Sequence, residues 1–502
     1  MTDGSGLAAL FCETLPADTI LSDALIIAER YGRNVSGLER RIPLVLRPSN
    51  EVEVSRIVAL ANAHRIALYP ISTGKNWGLG SKLPVVDGCV VVDLSRMHRI
   101  VEVSEAFGYA ILEPGVTQAQ LAAHLAASYP SLTLNFTGSF AHTSIVGNVL
   151  ERGDGAHARV DDLLGVRGVL GDGTPFEVGG CWRHVGSAWP SHCSRYTAGP
   201  DLVGMFAQSS FGIVTQMAFR LIHKPERRYL LWGAAPDEAL ERLVDTFDAF
   251  GRQRVINRGS VNIGYENRFV QARPTLGGAP LQGNGPRAWN FFALLGGTAV
   301  VADALAREMK TAFGTFCLAV EATCVEGGED AYRPLPPFLH PLVKPLLGSP
   351  DSDSIRLIYD LTGTPLPADL LDLDVDLTPF GMKCCIPVVP PRGEHVRRAA
   401  RVVTAVAGES KLNVKLSVFG DGRALVTIHF RSDDPDQVER AEQCERMLWG
   451  QLVAEGFPPY RVGIDQMERL VALDPAYFDL VARLKSVLDP HNVIAPGRYS
   501  RR

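Results

Sequence analysis

The chain has 502 residues, of which 46% are hydrophobic and 21% are charged, and its formal net charge is −5. This length exceeds what one ordinary hydrophobic core supports, so two domains are expected, and the composition is that of a packed globular protein. The small negative charge shows no nucleic-acid footprint and no polybasic membrane patch, which favours a small-molecule partner.

The N-terminus does not have the pattern of a secretory signal peptide, because it lacks a basic start and its apolar run is interrupted at Cys12, Glu13 and Thr14. No uninterrupted apolar span is long enough to cross a bilayer. The nine cysteines are scattered and odd in number, which is typical of a reducing compartment rather than of a disulfide framework. We therefore expect a soluble, cytoplasmic protein.

The first part of the chain alternates helical and strand patterns. Ser49 or Asn50 is the expected N-cap of a helix that continues to about residue 65. Thr117 and Gln120 form the pattern of a capping box at the start of a helix that ends near Ala127. Short apolar runs bounded by Gly or Pro predict strands at Val166–Leu170 and Gly212–Leu221. This alternation predicts an α/β or α+β domain that closes near residues 223–226.

The pattern changes from about Arg227. Residues 237–254 form an amphipathic helical pattern, and residues 273–287 form a Gly/Pro-rich exposed loop. Strands are predicted at Phe291–Leu295, Ile355–Tyr359 and Ala424–Phe430. The second domain is therefore expected to be α+β, and no repeat, heptad or low-complexity tract suggests a scaffold protein.

The segment at residues 69–80, YPISTGKNWGLG, is a polar loop with three glycines. Glycines allow backbone N–H groups to turn inward around an anion, and Ser72, Thr73, Lys75 and Asn76 add side-chain donors. An ordinary turn is the alternative, since the common phosphate-binding motifs are absent. Residues 144–155 and 199–215 likewise combine glycines with backbone N–H donors and small hydroxyl side chains. Three such loops in one domain indicate the wrapping of one long, polar cofactor.

Four segments of the chain, in their order, resemble the vanillyl-alcohol oxidase and p-cresol methylhydroxylase family of flavoproteins. They are PISTGKNWGLG, GNVLERGDG, GPDLVGMFAQSSFGIVTQMAF and LKSVLDPHNVIAPGRY. The resemblance implies an α+β fold with an FAD-binding domain of two subdomains and an inserted α+β cap that binds substrate. The implied divisions are an FAD-binding domain at 1–226, a cap at 227–450 and a C-terminal return to the FAD domain at 451–502.

FAD is the cofactor that the resemblance implies. The matching positions are Ser72, Thr73, Gly74, Lys75 and Asn76 for the diphosphate, Gly147 and Asn148 beside the isoalloxazine, Gly204, Gly212, Ile213 and Val214 for the adenosine and ring sites, and Arg498 in the C-terminal segment. Members often tether FAD through His or Tyr, and neither stands at the corresponding place here, so non-covalent FAD is expected. No metal site is predicted, and the family suggests a homodimer.

The family's chemistry implies the catalytic residues. Its substrates are typically 4-substituted phenols, which lose a hydride to flavin N5 and become p-quinone methides. Tyr460 and Arg461 match the pair that binds the phenolate. Ser139 stands where relatives have a carboxylate near N5, and His142 is a second polar candidate, with an ordinary loop histidine as the alternative. Leu79 stands where relatives have a second phenolate-binding tyrosine.

The cap holds further candidates. Lys383, Lys411 and Lys415 stand in predicted cap strands, where one of them could pair with a substrate carboxylate. Solvated lysines are the alternative. Cys384 and Cys385 are adjacent, so at most one of these thiols can enter a given site, and buried structural thiols are the alternative to a flavin tether.

The sequence therefore predicts an FAD-dependent oxidoreductase that acts on a para-substituted phenol or a related aromatic compound. Oxidative decarboxylation or hydroxylation of a biosynthetic intermediate is one form of this reaction. A flavin-dependent hydroxy-acid or alcohol oxidase is an alternative, and a flavin-binding protein without turnover is another.

Overall fold

The computed structural model of the protein describes residues 4–180, 192–196, 198–267, 288–325, 330–352, 354–367, 370 and 373–502. The loop predicted at 273–287 lies outside these residues. The strands are β1 Ile20–Leu21, β2 Val45–Leu46, β3 Leu68–Ile71, β4 Val90–Asp93, β5 Ile100–Ser104, β6 Tyr109–Leu112, β7 Leu132–Thr133, β8 Leu163–Leu170, β9 Pro175–Gly179, β10 Gly212–Arg220, β11 Ile222–His223, β12 Arg227–Pro236, β13 Val261–Asn267, β14 Ala288–Gly297, β15 Ala319–Cys324, β16 Phe380–Pro387, β17 Asn413–Phe419, β18 Ala424–Arg431 and β19 Pro459–Arg461. The helices are α1 Gly4–Cys12, α2 Ala24–Tyr31, α3 Glu51–His64, α4 Gln118–Ser128, α5 Ile145–Leu150, α6 Leu240–Arg252, α7 Ala299–Gly314, α8 His340–Val343, α9 Ser354–Thr362, α10 Gly393–Ser410, α11 Pro435–Ala454, α12 Met467–Leu473 and α13 Pro475–Leu488.

A four-stranded sheet in the order β1-β2-β4-β3 begins the chain, and its β2–β4 and β3–β4 pairs are parallel. Helix α3 packs between this sheet and strands β8 and β10, because its apolar side Val54, Ile57 and Val58 is fully buried. Of the two predicted caps, Asn50 begins the helix, since its Oδ1 accepts a hydrogen bond from the Glu53 N–H.

A second, antiparallel sheet in the order β5-β6-β10-β8-β9 follows, with α4 and α5 packed on its core. Thr117 caps α4 by accepting a hydrogen bond from the Gln120 N–H. The Gln120 side chain donates instead to the His98 carbonyl, so only half of the predicted capping box forms.

The cap contains an antiparallel sheet of eight strands in the order β15-β12-β14-β13-β17-β18-β16-β19. Alternate residues of each strand point to opposite faces. One face buries a core with residues of α6, α7, α10 and α11. The other face lines the large cavity described below.

The predicted strand at Ile355–Tyr359 is wrong, because these residues belong to helix α9. Ile355 and Tyr359 are both buried, and a spacing of four residues places two side chains on the same side of a helix. The strand predictions at Phe291–Leu295 and Ala424–Phe430 are confirmed by β14 and β18.

The C-terminal segment contacts both parts of the chain. Strand β19 pairs with β16 at the edge of the cap sheet, where Ile386 lies opposite Arg461. Further on, the Leu68 N–H donates to the Val493 carbonyl, and the Ala495 N–H donates to the Leu68 carbonyl. The predicted domain boundaries stay predictions. None of the helices in the described ranges combines the length and the apolar character that a membrane crossing requires.

Candidate active site

The loop after β3 depends on glycine. Gly74, Gly78 and Gly80 have φ values of 68°, 74° and 132°. A Cβ at Gly74 would lie 2.5 Å from Lys82 Cγ, and one at Gly78 would lie 2.5 Å from Cys384 Sγ. Residues with a side chain are strained in this backbone region and would clash here, so the sequence folds into this loop only with glycine at these positions.

A cleft opens beside this loop, between the two sheets of the N-terminal part. Its lining contains Ser72, Thr73, Gly74, Lys75, Asn76, Gly147, Asn148, Gly212, Ile213, Val214 and Arg498. Gly204 is the one predicted cofactor residue that does not line the cleft. It lies in a short 3₁₀ turn at Val203–Phe206, from which Phe206 reaches the lining instead.

The walls of the cleft are held together by short contacts. Thr73 Oγ1 accepts a hydrogen bond of 3.1 Å from the Ser144 N–H at the start of α5. A Cβ at Gly147 would lie 2.1 Å from Ser72 Oγ. The loop and α5 therefore approach each other as closely as glycine permits.

Arg498 brings a buried positive charge to the cleft. Its Nη2 donates a hydrogen bond of 2.7 Å to Glu151, which also accepts from the Tyr499 hydroxyl. Burial raises the pKa of Glu151, but the Arg498 guanidinium outweighs burial and holds the carboxyl pKa below its usual value.

Arg498 Nη1 is buried and has no hydrogen-bond partner within the described residues. A buried guanidinium N–H without a partner calls for an acceptor from a ligand. Together with the hydroxyl, amide and ammonium groups of the loop, this donor fits FAD, which carries a diphosphate and the carbonyl oxygens of its ring.

A second cavity, of about 510 Å³, lies between this cleft and the cap sheet. Lys75, Asn76, Asn148 and Arg461 line both spaces, so the cleft and the cavity adjoin there. The wall on the side of the FAD-binding residues includes Trp77, Leu79, Ser139 and Phe140. The cap wall is the sheet face that carries Trp232, Phe292, Leu294, Phe419, Leu425, Met382 and Ile386. Such a mostly apolar concavity that also carries polar and charged side chains is typical of a substrate site.

Arg461 stands at the junction of the two spaces. Its Nη2 donates a hydrogen bond of 2.9 Å to Asn76 Oδ1, and its buried Nε has no partner among the described residues. Tyr460 precedes it in β19; it is absent from the cavity lining, but it packs against the wall residues Leu79 and Cys384, and its buried hydroxyl has no hydrogen-bond partner among the described residues. Burial raises the pKa of the Tyr460 phenol to about 12. Of the predicted pair, Arg461 therefore lines the cavity, and Tyr460 packs against the residues of its wall.

Of the remaining catalytic candidates, Ser139 lines the cavity and its hydroxyl is 2.8 Å from that of Thr143. His142 is not in the cavity lining; its ring centroid lies 5.9 Å from that of Phe140. Leu79 lines the cavity, as expected for a residue that replaces a tyrosine of the relatives.

The three candidate lysines have different positions. Lys383 lies on the helix side of the cap sheet, where its ammonium is 3.0 Å from Asp465. Lys411 is an exposed residue at the end of α10 with a φ of 53°. Only Lys415 lines the cavity.

The adjacent cysteines separate as the strand pattern predicts. Cys384 lines the cavity, whereas Cys385 belongs to the helix-side core beside Glu445. Burial raises the pKa of the Cys384 thiol to about 12, although Arg461 opposes this change. The thiol is therefore protonated at neutral pH.

Three acidic residues that line the site were missed in the sequence: Glu151, Asp154 and Glu266. Glu151, the partner of Arg498, lines the cleft, and Asp154 lines the cavity and pairs with Arg423 of the cap. Glu151 and Asp154 both lie in the segment GNVLERGDG, of which only Gly147 and Asn148 were predicted to bind the cofactor. The presence of acidic residues inside a predicted cofactor-binding segment is the signal that could have identified Glu151 and Asp154.

Comparisons with known proteins agree with this geometry. The sequence profile described as "FAD binding domain" matches residues 42–179. The chain is 31% identical over 497 residues to 1'-carboxy-chondrochloren decarboxylase of Chondromyces crocatus, covering 92% of this chain and 91% of the relative. It is 26% identical over 470 residues to the 4-cresol dehydrogenase [hydroxylating] flavoprotein subunit of Pseudomonas putida, covering 89% and 85%.

The fold was also compared with solved structures. The crystal structure of p-cresol methylhydroxylase with substrate bound superposes with a TM-score of 0.85 and 23% identity, over 99% of this chain and 96% of the other. This likeness confirms the fold class that the sequence predicts, and the two curated relatives match nearly the whole chain. The chain binds FAD and belongs to the vanillyl-alcohol oxidase and p-cresol methylhydroxylase family of FAD-dependent oxidoreductases.

Proposed function

We propose that the enzyme oxidises a para-substituted phenol, or a closely related aromatic compound, in the cavity between the FAD cleft and the cap sheet. The observation that carries this proposal is the position of Arg461, which lines both spaces and has a buried Nε without a partner in the described chain. This guanidinium requires a negatively charged hydrogen-bond acceptor, and a phenolate oxygen is such an acceptor.

Arg461 has two tasks in this proposal. Its positive charge favours the ionised phenol, which lowers the pKa of the bound substrate, and its planar hydrogen bonds fix the ring. Leu79 supplies no hydroxyl to the same oxygen, so Arg461 carries a larger share of the phenolate's stabilisation than it would beside a tyrosine. Trp77 and Phe140, whose ring centroids are 5.3 Å apart, add an aromatic wall.

Bound FAD supplies the two-electron acceptor. The benzylic carbon of the phenolate loses a hydride, and the phenolate becomes a neutral p-quinone methide. In a substrate whose next carbon carries a carboxylate, the bond to that carboxylate then breaks and carbon dioxide leaves. The electron pair of the broken bond forms the new carbon–carbon double bond, and the exocyclic pair returns to the ring as phenolate.

Oxidative decarboxylation is the form of the reaction that we favour. It is supported by the 31% identity with a decarboxylase along nearly the whole chain, and addition of water to the quinone methide is the alternative outcome. The two full-length relatives bear the names of a decarboxylase and a cresol dehydrogenase, which argues against a hydroxy-acid oxidase. Both are enzymes, which argues against a flavin protein without turnover. The homodimer and the cytoplasmic localisation stay predictions of the sequence.

Anaerobic mixing of the purified, FAD-loaded enzyme with 4-ethylphenol and with 3-(4-hydroxyphenyl)propanoate tests the proposal. Bleaching of the visible flavin band by either phenol is the expected result, and 4-vinylphenol with carbon dioxide is the product expected from the acid. The matched O-methyl ether cannot form a phenolate and should not bleach the band. Bleaching by lactate or mandelate together with an unchanged band in every phenol would establish the hydroxy-acid alternative instead.

A further inference from the structure

Lys415 lines the wall of the substrate cavity, and its ammonium has no charged or hydrogen-bonding partner among the described residues. Lys415 lies on β17, is only partly exposed, and lines the cavity. Its side chain makes no hydrogen bond or ion pair within the described residues. Lys383, on the opposite face of the same sheet, has Asp465 as its partner.

The strand register fixes the place of Lys415 relative to Arg461. Arg461 is in β19 and Lys415 is in β17, with β16 and β18 between them. Three steps of strand spacing separate the two strands by about 14 Å, and the register places Arg461 level with Ile386, two positions beyond Cys384, which is level with Lys415. Both residues line the same cavity, so a single elongated ligand can meet Arg461 with one end and Lys415 with the other.

The neighbours of Lys415 do not neutralise it. Glu266 lies opposite on β13, yet no ion pair within 4.0 Å joins the two side chains, and Glu266 has an interaction of its own. Thr427 lies opposite on β18, and its hydroxyl is engaged at 2.8 Å with His429. A charge on a mostly apolar wall costs free energy unless it is paired, so a ligand anion at Lys415 relieves this cost.

We propose that Lys415 binds a carboxylate on the para side chain of the substrate. The inference rests on the proposed function for the phenol end of the ligand and adds the chemical class of the other end. One ammonium matches one carboxylate in charge. The preferred substrate is therefore a 4-hydroxyphenyl compound with an acidic side chain.

Lys415 acts on specificity rather than on the rate of bond breaking. An ammonium beside a carboxylate stabilises the charged substrate, so it tightens binding without favouring the loss of carbon dioxide. Replacing Lys415 should consequently weaken the binding of the acid and leave the limiting rate of flavin reduction unchanged.

The test compares 3-(4-hydroxyphenyl)propanoate with its methyl ester on the FAD-loaded enzyme, under anaerobic conditions. The concentration dependence of flavin reduction gives a Kd and a limiting rate, and the shift of the visible flavin spectrum gives the Kd of a ligand that does not reduce it. The variants are Lys415→Met and Lys415→Arg, with Lys411→Met as the matched control on the exposed end of α10. Lys415→Gln replaces Lys415→Met if that variant loses its flavin.

In the wild type we expect the acid to bind more tightly than the ester. The preference should fall about 10- to 100-fold in Lys415→Met, survive in Lys411→Met, and return in part in Lys415→Arg. Equal binding of acid and ester by the wild type, or an unchanged preference in Lys415→Met, overturns the inference. If phenols reduce the flavin but no preference exists, the proposed function stands and this inference fails. If an acid preference depends on Lys415 but no phenol reduces the flavin, this inference stands and the proposed function fails.

Discussion

Arg461 donates a hydrogen bond of 2.9 Å to Asn76, a residue 385 positions earlier in the chain. The bond joins strand β19 of the cap sheet to the loop that lines the FAD cleft. The cation proposed to hold the phenolate is thereby positioned by a residue at the cofactor, so that substrate and cofactor binding share one contact.

Replacing Arg461 by Met should weaken the binding of 4-ethylphenol about 10- to 100-fold, because a charge-assisted hydrogen bond to the phenolate is lost. The phenol pKa in the complex should rise, so the pH profile of flavin reduction should move to higher pH. Stopped-flow reduction across pH measures both effects. Arg431→Met, which removes an exposed arginine paired with Asp433, is the control and should leave both unchanged. An unaltered pH profile in Arg461→Met would remove Arg461 from the phenolate site.

Asn76 and Arg461 should be energetically coupled. Asn76→Ala leaves Arg461 Nη2 without its acceptor, and a double-mutant cycle with Arg461→Met isolates the interaction. We expect a coupling of about 0.5–3 kcal/mol in the binding of 4-ethylphenol. Additive effects of the two substitutions would show that the bond does not position Arg461 for the ligand.

Glu151→Gln should lower stability in a manner that depends on pH. Burial raises the Glu151 pKa, but Arg498 outweighs it, so the folded pKa lies below the usual 4.5. The ionised carboxyl therefore stabilises the folded state above that pH, and this stabilisation is lost as the pH falls through the lower folded value. The difference in Tm between wild type and Glu151→Gln should shrink on acidification below about 4.5. Glu238→Gln, at an exposed position, should show no such trend; a constant difference for Glu151→Gln would contradict the prediction.

Gly147→Ala should lower both stability and flavin content, since the new Cβ would lie 2.1 Å from Ser72 Oγ. The expected loss of unfolding free energy is about 1–3 kcal/mol. Adding Ser72→Ala removes the clashing atom and should restore part of the loss. Gly450→Ala, with open space around its Cβ, should be neutral or stabilising. Thermal unfolding and the ratio of visible to ultraviolet absorbance measure the outcomes, and a stable, fully loaded Gly147→Ala would show that the contact yields easily.

Acid precipitation should release the flavin into the supernatant. The Cys384 thiol lines the cavity, but burial raises its pKa to about 12, so the nucleophilic thiolate is scarce at neutral pH. A yellow pellet from the wild type and a colourless pellet from Cys384→Ser would instead identify Cys384 as a covalent tether.

The sequence predicted the structural features that depend on a local residue pattern or on a complete motif of the family. The cap of α3 at Asn50 and the need for glycine at Gly74 are local properties. The strand predicted at Ile355–Tyr359 failed because a short apolar run fits a helix and a strand equally well, and only packing decides between them.

The distinction between Lys383 and Lys415 could not be made from the sequence. Both stand in cap strands, and their roles depend on which face of the sheet meets the helices. The same reasoning applies to Cys384 and Cys385. The sequence predicted that they point to opposite faces of the strand, but not which of them faces the cavity. Side-chain direction relative to a distant layer is a property of the tertiary fold.

The position of strand β19 in the chain affects how the protein folds during its synthesis on the ribosome. The edge of the cap sheet beside β16 is formed by residues 459–461, although most of that sheet is encoded much earlier. A nascent chain that ends before these residues has no Arg461 and an unpaired sheet edge at Ile386. The cavity is therefore completed only after residue 461 has been synthesised, and a fragment that ends before β19 lacks this part of it.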